Sequence, residues 1–200
     1  MAPHGCHRVG SIPTWAAHHP IREKRNIVMN KKILAAVVAT GAFIGGVGSA
    51  APANASLTLP HFASHTIMVE DHTGSRWPVR ASVLQWDQGT DASIRYGKCI
   101  PTAGCVRIYE ANLGRNQTAG HTLMSWYQNT RVLNPVKITM NDSYYLSAHQ
   151  RRQAVEHELG HSFGLTYHSR SRGSAMYYLI SNNVSMYPSA YDKSILNALY

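Results

Sequence analysis

Acidic residues are scarce in this chain of 200 residues. It has 10 Asp and Glu residues against 19 Lys and Arg residues, and its formal net charge at pH 7 is +9. Six of the basic residues and one of the acidic residues lie in residues 1–55, which leaves 13 basic and nine acidic residues in residues 56–200. The basic residues of this larger part are scattered along the chain. A nucleic-acid-binding function is therefore not expected, because it requires basic residues that cluster on one surface.

The chain also lacks a long hydrophobic run. Its longest apolar segment, at residues 33–47, has about 15 residues, whereas the alternative of a transmembrane anchor needs about 20. Two lysines precede this segment, and an Ala-Asn-Ala sequence at residues 53–55 follows it, as in a secretory signal. We therefore predict a signal peptide at residues 29–55, secretion after cleavage near Ala55, and no stable membrane anchor. Residues 1–28 precede a complete signal and are predicted to be a mis-called or unstructured extension.

Cysteine is rare as well, with three residues in the whole chain. Cys6 lies in the predicted extension, so the mature chain would keep only Cys99 and Cys105. An even number of cysteines in an exported protein favours a disulfide, and Pro101 and Gly104 favour a turn between them. We predict a Cys99–Cys105 disulfide worth about 2 kcal/mol. Two free thiols are the alternative.

The part of the chain after the signal has the length of one domain. A short lead at residues 56–64 precedes a domain at residues 65–200. Strands come first and helices mostly later, which favours an α+β fold with one mixed sheet. The predicted strands cover residues 65–70, 92–96, 105–110, 121–127 and 136–140, and the predicted helices cover residues 78–89, 147–164 and the segment from 189 onward. The strand at residues 105–110 is expected to bind an extended peptide by edge pairing.

The second predicted helix carries a metal-binding pattern. His157 and His161 are four residues apart, so both imidazoles project from one face of the helix and can bind one zinc ion. Glu158 lies beside the first histidine, where its carboxylate can take a proton from a water molecule that the metal activates. Together these residues form the H-E-x-x-H pattern of zinc proteases. The alternative is a surface helix with two solvated histidines.

A catalytic zinc site needs a third protein ligand, with its fourth position left for water. Gly164 can adopt a positive φ and turn the chain back under the metal. His168 follows four residues later and is the predicted third ligand. Met176 comes eight residues after His168, in a Ser-Ala-Met-Tyr sequence at residues 174–177.

These motifs resemble the metzincin clan of zinc proteases and are most similar to its secreted, matrixin-like members. The zinc-binding pattern with Gly164 is the specific part of the resemblance. Residues 136–141 and 192–200 also resemble the strand before the active-site helix and the closing helix of matrixins. The resemblance covers residues 65–200. It implies a twisted sheet of five strands, three helices, a zinc ion at the floor of a cleft, and Met176 in the hydrophobic base beneath the metal.

The third histidine departs from the family pattern by one residue. The family places it three residues after the glycine, where this chain has Tyr167, and His168 comes one residue later. A bulged turn can bring His168 to the metal, Tyr167 can bind through its phenolate, or the third position can be defective. We predict His168, because a neutral imidazole is the better ligand at pH 7.

The resemblance also suggests two further features. Tyr178 is a candidate helper that would stabilise the oxyanion of the transition state, with simple packing beneath the cleft as the alternative. A calcium site is common in the family, but Asp87, Asp91 and Asp142 form no recognisable calcium-binding loop, so none is assigned.

The predicted function is that of a secreted, zinc-dependent endopeptidase with Glu158 as its general base. Its partner would be a peptide or protein substrate, and we expect a monomer. The shifted third ligand motivates an alternative, a non-catalytic secreted binding protein on a degenerate metalloprotease scaffold. The cleavage preference would depend on the wall after Met176, at residues 177–187, and does not follow from the sequence.

Overall fold

The computed structural model describes residues 9–11, 59–115, 118–127 and 131–200. The predicted signal peptide at residues 29–55 lies outside the described residues. Among the helices of the described ranges, none has both the length and the hydrophobicity that crossing a membrane requires.

A mixed β-sheet forms one layer of the fold. Its strands, in chain order, are β1 (Val9–Ser11), β2 (Thr66–His72), β3 (Ser93–Tyr96), β4 (Gly104–Ala111), β5 (Gly120–Ser125) and β6 (Val136–Asn141). They lie side by side in the order β1-β5-β6-β4-β2-β3. Strands β3, β2, β4 and β6 are parallel to one another, whereas β5 is antiparallel to β6 and to β1. The five strands from β2 to β6 match those that the sequence predicts, so the mixed sheet is confirmed.

The expectation that the strand at residues 105–110 offers a free edge is wrong. Strand β4 pairs with β2 on one side and with β6 on the other, so its backbone groups are already used. On the other side of β6 lies β5, and Val9–Ser11 (β1) pairs antiparallel with the outer side of β5. The sequence could not reveal this, because the order of strands in the sheet differs from their order in the chain. An extended stretch of chain therefore fits against β5.

Within the residues that the structure describes, three helices accompany the sheet, as predicted. They are α1 (Val79–Asp87), α2 (Ala148–Ser162) and α3 (Ala190–Leu199). At the start of α2, the Ser147 side chain accepts a hydrogen bond from the Gln150 amide, and the Gln150 side chain accepts one from the Ser147 amide. Ser189 and Asp192 form the same capping box at the start of α3. These boxes satisfy first-turn amides that have no partner within the helix, and they fix both helix starts.

The hydrophobic core lies where α1 and α2 pack together and α2 packs on β5 and β6. Ile108 and Ile138 of the central strands are fully buried, as are Trp86 of α1 and Leu159 of α2. The Trp86 ring meets the Phe163 ring edge to face, with centroids 5.8 Å apart. This contact holds α1 against the C-terminal end of α2.

Helix α2 is buried although it is rich in polar residues. All residues from 153 to 162 are buried, and they include two histidines and two glutamates. Such groups are costly to bury unless they find hydrogen-bond partners. Gln153, for example, donates to the Leu179 carbonyl at 2.8 Å and accepts from the Ser181 amide at 2.9 Å. The position of α2 therefore depends on the segments that surround it.

The chain reverses direction directly after α2. Gly164 has a φ of 110°, and a Cβ at this position would lie 2.1 Å from the Pro60 carbonyl oxygen. Glycine is therefore required both by the backbone conformation and by the space available. Tyr200 braces the same region, because its hydroxyl donates to the Phe163 carbonyl at 3.1 Å and accepts from the Phe62 amide at 3.0 Å.

The predicted disulfide between Cys99 and Cys105 is present. Cys105 belongs to β4, and Cys99 lies in the loop that follows β3. The bond therefore ties this loop to a central strand of the sheet.

Candidate metal centre

Two histidines of α2 form the base of a cluster. His157 and His161 lie one turn apart, and both are fully buried. Their Nε2 atoms are 3.0 Å apart, and the two rings are perpendicular. This approach follows from the i, i+4 spacing, which places both side chains on the same face of the helix.

His168 joins this pair from the turn after α2. Gly164 sends the chain back, and the His168 Nε2 atom lies 3.2 Å from the Nε2 atom of His161. One nitrogen from each of the three histidines lies within 4.8 Å of the others, so the cluster can hold a metal ion. His168 is the most exposed member of the cluster and is only partly buried, whereas the other two are fully buried. The cluster is therefore accessible from the side of His168.

Backbone carbonyl groups determine which nitrogen of each buried histidine faces the cluster. The Nδ1 atom of His157 donates to the Ala175 carbonyl at 2.9 Å, and the Nδ1 atom of His161 donates to the Leu165 carbonyl at 2.6 Å. A carbonyl oxygen only accepts, so the proton resides on Nδ1 in both rings. Each Nε2 atom then presents a lone pair to the centre of the cluster, as a metal ligand must.

Burial also keeps the three imidazoles neutral. It lowers the pKa of His157 well below the usual value of 6.5, and it lowers the pKa of His161 to about 4. Burial lowers the pKa of His168 as well. The neutral form therefore predominates at pH 7, and this is the form that binds metals.

The three histidines fit a zinc ion in donor type and in spacing. Neutral imidazoles bind zinc at about 2.0–2.1 Å, and a tetrahedral arrangement then separates the nitrogens by about 3.3 Å. The two short separations in the cluster are 3.0 and 3.2 Å. Three protein ligands would leave one position open, which is typical of catalytic zinc. Imidazole also suits copper, nickel and iron, so the donor set alone does not identify the metal.

Glu158 lies next to the first histidine in the chain and is 2% exposed. Its Oε2 atom accepts a hydrogen bond of 2.5 Å from the Thr122 hydroxyl of β5. Burial raises the pKa of Glu158 to about 8, and the hydrogen bond from Thr122 partly opposes this rise. A carboxyl group that titrates near neutral pH can both take up and release a proton.

Met176 packs directly against the underside of α2 and is fully buried. A Cβ at Gly160 would lie only 2.3 Å from the Met176 sulfur, so this contact requires a glycine in the helix. The Ser174 hydroxyl accepts a hydrogen bond from the Met176 amide at 2.9 Å and donates one to Asp192 at 2.6 Å. The same turn supplies the Ala175 carbonyl that orients the first histidine. The turn around Met176 therefore packs against α2 and holds His157 in its orientation.

Tyr167, the alternative third ligand, points to a different partner. Its hydroxyl donates a hydrogen bond of 2.6 Å to the Asp192 carboxylate, and its ring packs against the ring of Tyr191. Burial, together with the neighbouring carboxylate, raises the pKa of Tyr167 above its usual value of 10. A phenolate is therefore disfavoured. Of the two candidates, His168 is the residue that lies in the cluster.

Tyr178, the candidate oxyanion helper, lies outside the cluster of three histidines. Tyr178 is 43% exposed, and its ring centroid lies 4.5 Å from that of Tyr177. Its role as an oxyanion helper stays a prediction. His149, in the first turn of α2, has its Nε2 atom 2.7 Å from the Val184 carbonyl oxygen.

One further group of potential ligands occurs within the described ranges, formed by Glu70, Cys99 and Cys105. The two cysteines are joined in the disulfide, so they offer no thiolate to a metal. Asp142, one of the aspartates considered for calcium, forms an ion pair with Arg76. Calcium therefore remains unassigned.

Sequence reasoning missed two residues that support the cluster. Thr122 carries no motif, and its contact with Glu158 spans 36 positions in the chain. Asp192 is recognisable only as the capping residue of α3, yet its carboxylate also binds Tyr167 and Ser174. The spacing of three residues between Ser189 and Asp192 indicates the capping role of the carboxylate, but nothing in the sequence indicates its hydrogen bonds to Tyr167 and Ser174.

Comparison with known proteins adds no family assignment. A scan of the sequence against protein-family models finds no match, and a search of curated proteins finds none either. The function is therefore inferred from the chemistry of the histidine cluster.

Proposed function

We propose that this protein is a secreted, zinc-dependent endopeptidase of the metzincin type, similar to the matrixins. One observation carries the proposal. The Nε2 atoms of His157, His161 and His168 converge, and Glu158 directly follows His157 in α2. Three neutral imidazoles and one neighbouring carboxyl group are the groups that zinc-dependent peptide hydrolysis needs.

The roles of the residues follow from their chemistry. When bound, zinc acts as a Lewis acid that polarises a carbonyl group and lowers the pKa of a water molecule towards 7. The three histidines would hold the ion, two of them oriented by backbone carbonyl groups. Glu158 would take up the proton of the attacking water and pass it to the nitrogen of the leaving amine.

An extended peptide is the form of substrate that the site would accept. Strand β5 carries Thr122, which contacts Glu158, so β5 runs beside the proposed general base. Val9–Ser11 pairs with β5 in antiparallel register from Ser125 to Leu123. In a mature chain that begins at Ser56 this segment would be removed, and a substrate that took its place on β5 would be held by main-chain hydrogen bonds, with its side chains determining the specificity.

Secretion and the oligomeric state are part of the proposal. Disulfides persist in oxidising compartments outside the cytosol, and the Cys99–Cys105 bond fits such a location. A signal peptide at residues 29–55 would direct export. We expect a monomer that acts on peptides or proteins.

The one-residue shift of His168 favours a second candidate function. A degenerate site would leave a non-catalytic secreted protein that binds peptides at the β5 edge. The approach of His168 to within 3.2 Å of His161 argues against degeneracy, so we rank catalysis first.

The deciding experiment uses protein that begins at Ser56. Elemental analysis should find about one zinc ion per chain, and an unfolded protein substrate should be cleaved. Glu158→Gln should keep the zinc but lower kcat by about 10²- to 10⁴-fold, because the general base is lost.

His149→Gln is the matched control for this experiment. It changes a histidine on the same helix outside the cluster, so zinc content and cleavage should both persist. Cleavage that survives Glu158→Gln undiminished would refute the mechanism. Bound zinc without cleavage of any peptide would favour the binding protein.

A further inference from the structure

Thr122 of β5 makes a close contact with the proposed general base. Its hydroxyl lies 2.5 Å from the Oε2 atom of Glu158 and 3.1 Å from the backbone oxygen of the same residue. Thr122 is fully buried and Glu158 is 2% exposed, so water does not compete for this hydrogen bond. A hydrogen bond between a hydroxyl and a carboxylate is among the stronger kinds, and burial strengthens it further.

Gly120 shapes the other side of the same carboxyl group. It lies two residues before Thr122, so both residues face α2 from the same side of β5. A Cβ at position 120 would lie 2.8 Å from the Glu158 Cγ atom and 3.1 Å from its Oε1 atom. Any larger residue would therefore push the carboxyl group out of its present position.

We propose that Thr122 is the positioning residue of Glu158, and that Gly120 provides the space in which the carboxyl group is held. The inference rests on the proposed function, because it assigns Thr122 a role in orienting the general base. The hydroxyl fixes the Oε2 atom, so the Oε1 atom is the one left to exchange protons with the reacting groups.

The physical need for such a positioning residue comes from the freedom of the glutamate side chain. The terminal torsion of a glutamate has a broad energy profile, so the backbone of α2 alone does not set the plane of the carboxyl group. Proton transfer requires hydrogen-bond distance and alignment, and a misplacement of about 1 Å can cost about 10²-fold in rate. One fixed oxygen removes most of this freedom.

The kinetic test compares two substitutions of Thr122. Thr122→Val keeps the shape and removes the hydroxyl, whereas Thr122→Ser keeps the hydroxyl and removes a methyl group. We expect Thr122→Val to lower kcat by about 10- to 100-fold with KM and zinc content little changed. Thr122→Ser should stay within about threefold of the wild type, because the hydrogen bond is retained.

Thr139→Val is the matched control, because it removes a threonine hydroxyl from the neighbouring strand β6, away from Glu158. It should leave kcat unchanged. Equal kcat for Thr122→Val and the wild type would overturn the inference. Equal impairment of the Ser and Val variants would also overturn it, since the volume of the side chain and not its hydroxyl would then matter.

A second measurement does not depend on catalysis. In urea unfolding, Thr122→Val should lower the equilibrium constant for folding by about 10-fold in the wild-type background. In the Glu158→Ala background it should lower the same constant by much less. This double-mutant cycle of Thr122→Val and Glu158→Ala should be measured with zinc bound and after removal of zinc by a chelator. Strictly additive effects would mean that the two side chains do not interact, and would overturn the inference.

The failures of the two proposals can be told apart. A wild-type protein without any Glu158-dependent cleavage would refute the proposed function and, with it, the positioning role. An active wild type whose rate is indifferent to Thr122→Val would refute the positioning role alone.

Discussion

The Tyr167 hydroxyl donates a hydrogen bond of 2.6 Å to Asp192, while the adjacent His168 directs its Nε2 atom to within 3.2 Å of His161. The two neighbouring residues thus face different partners. The extra residue between Gly164 and the third histidine is accommodated because Tyr167 binds α3 instead of the cluster. Tyr167 links α3 to the turn that carries His168.

His168→Ala should lose zinc and activity together, because two imidazoles leave the ion under-coordinated. Tyr167→Phe should keep both and lower the free energy of unfolding by about 1.5–3 kcal/mol, since it removes a hydrogen bond to a carboxylate. Zinc analysis, peptide cleavage and urea unfolding measure these effects. Zinc and turnover retained in His168→Ala would exclude this residue as the third ligand.

Asp192→Ala should destabilise the protein strongly. The buried carboxylate accepts hydrogen bonds from Tyr167, Ser174 and both the amide and the hydroxyl of Ser189. Removal of all these bonds should lower the free energy of unfolding by about 3–5 kcal/mol. It should also weaken zinc binding by about 10- to 100-fold, because Ser174 holds the turn that orients His157.

Asp91→Ala is the control for this substitution, because Asp91 is exposed. Its effect on the free energy of unfolding should stay within about 0.5 kcal/mol. An Asp192→Ala variant that is as stable as this control would contradict the proposed link between α3 and the turn around Met176.

The stability of the zinc-free protein should depend on pH through His161. Its pKa is lowered from 6.5 to about 4 in the folded state, so the unfolded chain binds a proton first as the pH falls. The contribution of His161 to stability should therefore be complete above pH 6.5 and fall by about 3 kcal/mol between pH 6.5 and 4. Buried Glu156 and Glu158, whose pKa values are raised to about 8, act in the opposite direction, so the His161 contribution is taken as the difference between the wild type and His161→Gln. Urea unfolding of chelator-treated protein across this range is the measurement. A difference in stability between the wild type and His161→Gln that does not change with pH would contradict the burial of a neutral imidazole.

Gly160→Ala should disturb the contact between α2 and Met176. The new Cβ would lie 2.3 Å from the Met176 sulfur and 2.9 Å from the Trp86 ring, although alanine is otherwise the better helix former. We expect a loss of about 1–3 kcal/mol in the free energy of unfolding from overpacking. Gly173→Ala is the control, since its nearest neighbour would lie at 3.4 Å. Equal melting temperatures for the two variants would argue against a tight contact.

Local patterns in the sequence predicted the parts of the site that lie on one stretch of chain. The i, i+4 spacing of His157 and His161 needs only a helix, and the Ser147 capping box defines where that helix starts. Gly164 indicated the turn, and the turn delivers His168. The strands and helices follow in the same way from short-range periodicity and from turn residues.

The order of the strands in the sheet, and contacts between residues far apart in the chain, could not be predicted from local sequence patterns. Strand β4 lies between β2 and β6, and β5 lies between β6 and β1, because β5 folds back antiparallel on the outer side of β6. Nothing in the sequence of either strand specifies its neighbours. The contact of Thr122 with Glu158 depends on this arrangement, because it requires β5 to lie against α2.

The buried polar stretch of α2 has a consequence for how the metal centre forms. Its side chains find partners on β5, on the turn at Leu165, on the segment around Ala175 and on Leu179. The helix cannot acquire these partners one at a time without leaving charged or polar groups unpaired in the interior. We therefore expect the amide protons of α2 to exchange with solvent only through opening of the whole domain, and zinc to slow the exchange of segments far from the three histidines.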